Sequence, residues 1–89
     1  MVYLVSYDLS QPNRNYEAIT KQIMSYSTRA KVLESLWLIK TTDTASAVME
    51  HLKGSIDKDD KLVVIEIKRH WSTLHLPNDV VSWMNNNVS

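Results

Sequence analysis

The segment Lys61-Leu62-Val63-Val64-Ile65-Glu66-Ile67 is apolar on both of the faces that an extended chain presents. Side chains alternate across a strand, so Val63, Ile65 and Ile67 share one side while Leu62 and Val64 share the other. An antiparallel sheet with water on one face carries polar residues at every second position, and this run does not. Whatever sheet contains it must therefore be covered on both sides. In a chain of 89 residues that demand is severe, because a domain this small buries only about 60 to 65% of its unfolded surface. Either the rest of the chain or a second copy of it has to supply the cover.

The remaining elements follow from pattern. Val2 to Tyr7 is rich in β-branched and aromatic residues and runs into Asp8 and the turn-forming Leu9-Ser10-Gln11-Pro12-Asn13, which predicts a strand. Tyr16, Ile19, Ile23 and Tyr26 recur at spacings of three, four and three, the signature of an amphipathic helix, with Asn13 available to cap it after Pro12. Ala30 to Lys40 is strand-like over eleven residues. Strands usually run for about 5 to 6 residues, so a bend or hairpin around Glu34 to Leu36 should divide it. Thr44 is placed to cap a second helix carrying Ala45, Val48, Met49, Leu52 and Ile56, and Gly54, the only glycine, to stop it. After Asp57-Lys58-Asp59-Asp60, read as a solvated turn, comes the doubly apolar strand. Trp71 to Pro77 reads as an irregular connection, Asp79 to Met84 as a short last helix behind Asn78, and Asn85 to Asn87 as a frayed end.

Strand, helix, strand, strand, helix, strand is the split βαβ order. The expected fold is α+β and ferredoxin-like, a four-stranded antiparallel sheet with two helices on one face and a C-terminal extension. Residues 1–70 form the ferredoxin-like domain, and residues 71–89 an extension belonging to the same domain or to a dimer interface. Trp71, Leu74, Leu76 and Trp83 are available to cover the second face. A homodimer, with the extension contributing to it, is the assembly this reading favours.

Composition removes several classes of function. With 44% hydrophobic and 22% charged residues the chain is that of a folded protein. Lys plus Arg and Asp plus Glu both number 10, so no bulk positive field draws in nucleic acid and any such contact needs a local patch. The absence of cysteine excludes disulfides, thiol nucleophiles and cysteine-held zinc, and is compatible with the cytoplasm, the expected location. No stretch approaches the ~20 apolar residues that span a bilayer, so no membrane association is expected.

Asp8 is the acid that the pattern singles out, because groups at the ends of strands face the crevice where open sheets bind ligands. A carboxylate there can hold a cation, accept a proton or cap the turn that follows. One carboxylate makes a poor magnesium site, whereas two, brought together across a dimer, could share an ion that activates water at a phosphate. Ser35 could donate to that phosphate or orient the water, or serve the bend alone. Trp37 could stack on a base or pack in the core. Tyr7, Arg14, Lys31 and Trp37 are the candidate nucleic-acid contacts around this end. His51, His70 and His75 lack the spacing of a ligand set, and Asp57, Asp59 and Asp60 lack the glycine and terminal glutamate of a calcium loop.

With Tyr7-Asp8 closing the first strand, Glu34-Ser35-Leu36-Trp37 in the second and Asp60-Lys61-Leu62-Val63-Val64-Ile65 in the last, the chain resembles the CRISPR-associated protein 2 superfamily. It looks closest to the stand-alone, SinR-like branch, and VapD toxins share that fold. The resemblance implies a ferredoxin-like homodimer in which the first-strand acid, here Asp8, is paired across the dimer around a divalent cation such as Mg2+. It implies either a metal-dependent endonuclease acting on RNA or DNA, or a non-catalytic scaffold gripping nucleic acid and a protein partner. By position Ser35 matches the serine of the family's Ser-Val-Phe segment, Trp37 stands in place of its phenylalanine, and Lys31 lies where a basic residue is expected. Glu34 beside the serine and the segment from His70 to Ser89 depart from the family pattern.

Overall fold

The computed structural model describes residues 1–10 and 16–88, and the proposed cap Asn13 lies outside them. Seven elements follow in order: β1 (Val2–Asp8), α1 (Glu17–Ile23), β2 (Thr28–Leu33), β3 (Leu36–Lys40), α2 (Ala45–Lys53), β4 (Lys61–Ile67) and α3 (Asn78–Asn87). The four strands form one sheet in the order β2-β3-β1-β4, with every neighbouring pair antiparallel. This is the split βαβ, ferredoxin-like order that the pattern predicts. The long apolar run does divide, at Glu34-Ser35, and the β2–β3 register shifts between Lys31 and Leu33.

Register assigns every strand residue to a face. Tyr3 lies opposite Ile39 and Glu66, Val5 opposite Trp37 and Val64, and Tyr7 opposite Leu62. These alternate with Val2, Leu4, Ser6 and Asp8, which therefore point the other way together with Leu36, Leu38, Val63, Ile65 and Ile67. The first set packs under α1 and α2, where Ile19, Ile23, Val48 and Leu52 close the main core. Burying those four aliphatic side chains contributes roughly 1.5 to 3 kcal/mol each, relative to leaving them exposed. Thr44 opens α2 as expected, its hydroxyl accepting from Ala47 N–H at 3.1 Å. Gly54 does end α2, but at φ −68° rather than in the left-handed conformation, so the stop there does not depend on glycine.

The second face is covered by the chain itself. Val80, Met84 and Val88 of the C-terminal segment are buried with Val2 and Leu38, and Leu4, Leu36, Ile67, Trp71, Leu76 and Trp83 pack around them. The last helix is longer than the pattern suggests, because the asparagines are not frayed. Asn87 Nδ2 donates to Trp83 O at 2.8 Å and Val88 N–H to Met84 O at 2.9 Å, so burial of Val88 holds the final turn. Leu74, one of the residues expected to cover the sheet, is instead 77% exposed. Among the described residues no helix is long and apolar enough to cross a membrane.

Candidate functional site

At one end of the sheet β1 and β2 finish while β3 and β4 begin, and there the backbone leaves the ladder. Tyr7 N–H donates to Ser35 O at 3.1 Å, which draws the β2–β3 turn against the last residues of β1. Asp8 pairs across the sheet with Lys61. The fold therefore brings Asp8 and Ser35, 27 positions apart in the sequence, to the same sheet end. Asp8 is exposed, beside a shallow depression of about 200 Å³ that Ser6, Lys61 and Val63 also line.

The turn after β1 is fastened by a different acid. Asp60 Oδ1 accepts from Ser10 N–H at 2.8 Å and from Ser10 Oγ–H at 3.0 Å, while its Oδ2 accepts from Asp57 N–H at 2.7 Å. In the described part of the turn Asp60 thus performs the backbone-accepting role that Asp8 was a candidate for. It also makes 57–60 more than a solvated connection, since one carboxylate ties the exit of β1 to the entry of β4. The signal available in the sequence was the position of Asp60 directly before a strand, which alone does not reveal a partner fifty residues away.

The other candidate contacts among the described residues do not form an open surface around Asp8. Tyr7 and Trp37 are 5% and 7% exposed, both inside the core beneath the helices. Their rings are closed off from a stacking base, and Trp37 takes the packing alternative because its register puts it on the helix-covered side. Trp37 Nε1 is enclosed without a hydrogen-bond partner. Lys31 is exposed on the edge strand β2, but it lies opposite Trp37 and so faces away from the side that carries Asp8. Arg14 lies outside the described residues.

A magnesium ion at Asp8 would find little help from the other described residues. Among the described residues no group of three His, Cys, Asp or Glu side chains is close enough together to hold a metal ion. The cross-strand neighbour Lys61 brings a positive charge, which disfavours a cation. Magnesium takes near-octahedral oxygen coordination, and a single carboxylate does not build it.

Two further polar arrangements escaped the sequence pattern. His51 Nε2 lies 3.1 Å from Ser25 Oγ, and the His51 ring meets Tyr26 edge-on at 5.4 Å between centroids. Ser25 Oγ–H donates to Gln22 O at 2.6 Å, so the imidazole is assigned as donor to the hydroxyl. A hydroxyl whose proton is held by a carbonyl is not poised for removal by a base, and the pair serves to join α1 to α2. Burial of the Tyr26 phenol, with a smaller contribution from the negative charge of Asp43, raises its pKa above the usual tyrosine value.

On the second face the cover is incomplete. A groove of about 500 Å³ opens between the 70–76 segment and the sheet, lined by Leu4, Leu36, Leu38, Ile67, Trp71 and Met84 among others. Beside it, on the edge strand β4, Val63 and Ile65 are 44% and 51% exposed. The doubly apolar strand thus remains partly uncovered on the side where the chain's own extension falls short.

Fold and site together define a small α+β domain with a bare apolar edge and an exposed acid, Asp8, at the end of its first strand. No protein-family model and no curated protein matches the chain.

Proposed function

We propose that this chain is a non-enzymatic binding module that works as a homodimer, associating through the uncovered part of its sheet. The observation that carries the reading is the exposure of Val63 and Ile65 on an edge strand, since exposed flat apolar edges are templates for pairing and proteins otherwise blunt them. Protein association is the chemistry such a surface offers. A grip on nucleic acid has less to draw on, because Tyr7 and Trp37 are enclosed and Lys31 stands across the sheet from Asp8. The test is light scattering with concentration: a mass of two chains at tens of micromolar is expected, and a monomer persisting to millimolar concentration refutes the proposal.

A second reading rests on a specific observation, that Asp8 and Ser35 lie at the same sheet end, where Tyr7 N–H donates to Ser35 O. In that reading the chain is a Mg2+-dependent endonuclease of the CRISPR-associated protein 2 type, with Asp8 from each subunit at a shared ion. It calls on the partner's carboxylate, because the described residues of one chain do not supply the donors. Magnesium-dependent cleavage of RNA or DNA that disappears in Asp8→Asn, with the dimer intact, supports it. Equal activity in the variant rejects it.

A further inference from the structure

The uncovered strand has a charge pattern that selects its own occupant. β4 is an edge strand, bonded to β1 on one side and to nothing among the described residues on the other. Its two ends carry opposite charge. Immediately before it the turn 57–60 holds three aspartates and one lysine, and immediately after it come Lys68 and Arg69. Asp59 and Arg69 are both exposed.

We infer that two copies of this chain pair antiparallel along β4, centred on Val64, to form one continuous eight-stranded sheet. The inference rests on the association reading above and names its surface. A two-fold axis perpendicular to the sheet preserves its faces, so opposing residues must be of the same alternation, and the axis passes midway between one residue and its own copy. With Val64 at the axis, Val63 of each copy lies opposite Ile65 of the other, on the face where both are exposed. The same register sets Asp59 of each copy against Arg69 of the other, and Asp60, which already holds Ser10, against Lys68, which already holds Glu66, twice per dimer. Moving the axis by one residue spoils the match. Centred on Val63, it opposes Asp60 to Glu66; centred on Ile65, it opposes Lys61 to Arg69. Like charges directly opposite are destabilising across a ladder, so the register is chosen by charge as well as by apolar fit.

This geometry also separates the acids. From strand rise and strand spacing, the two Asp8 positions on β1 and its copy lie about 25 Å apart, too far to share an ion. The edge-paired dimer and the shared-magnesium nuclease therefore exclude each other.

The experiment is sedimentation velocity on the full chain and on Asp59→Arg, Arg69→Asp and the double variant, at low ionic strength. Both side chains are exposed, and circular dichroism checks that each variant is folded. Each single reversal is expected to weaken the dimer about tenfold or more, since it places like charges together at two symmetric positions, and the double reversal to restore it. Ile65→Lys is expected to give a monomer. A dimer indifferent to all of these overturns the edge pairing while leaving association intact. A wild-type chain that stays monomeric overturns both.

Discussion

Met84→Ala probes whether the extension truly closes the second face of its own sheet. Met84 is 6% exposed and sits with Val2, Leu38, Val80 and Val88. Truncation of a buried methionine to alanine costs about 2 to 5 kcal/mol, and because this side chain also borders the open groove, where neighbours can relax, the lower half of that range is expected. A loss of about 2 to 3 kcal/mol is large against the ~4 to 13 kcal/mol that a chain of this length typically has. At roughly 4 to 8 °C per kcal/mol, it lowers Tm by about 10 to 20 °C. Urea denaturation followed by tryptophan fluorescence measures it, with Leu74→Ala, at an exposed position in the same segment, as the control. If Met84→Ala costs no more than the control, within about 0.5 kcal/mol, α3 does not pack on its own sheet in solution. The helix would then be free to cover a second subunit.

Thr44→Ala removes the hydroxyl that caps α2 and is expected to lower stability by about 1 kcal/mol in the same urea titration. Gly54→Ala is expected to raise it by about 0.4 to 1 kcal/mol, since the residue has φ −68° and an added Cβ meets nothing within 4 Å. Tyr26 has a folded pKa raised above its value of 10.0 in the unfolded chain, so its neutral form contributes stability that is present below pH 10 and lost as pH climbs through the higher folded value. Tyr26→Phe should therefore flatten the alkaline limb of a stability–pH curve. At neutral pH it should cost little, because the buried hydroxyl has no hydrogen-bond partner to lose.

The amino-acid pattern by itself determined the element order, the break at Glu34-Ser35, the Thr44 cap and the demand for cover on both faces of β4. Each of these is local, set by alternation, helical spacing or a side chain reaching three residues along its own backbone, and such information survives in a linear string. That Asp8 and Ser35 share a sheet end was legible only from their places at the ends of strand-like runs. The enclosure of Tyr7 and Trp37, the clamp that Asp60 makes on Ser10, and the separation of Lys31 from Asp8 were decided by tertiary structure, because each depends on which side of the sheet the helices occupy or on contacts between segments far apart in the chain. The same holds for the extension. Its apolar residues announce that something will be buried, but whether they cover this sheet or another depends on the path of the 70–76 segment, and that path carries α3 back over Val2 and Leu38 while leaving Val63 and Ile65 bare. Hydrophobic burial is non-directional, so a sequence can state how much surface must leave water without stating against what.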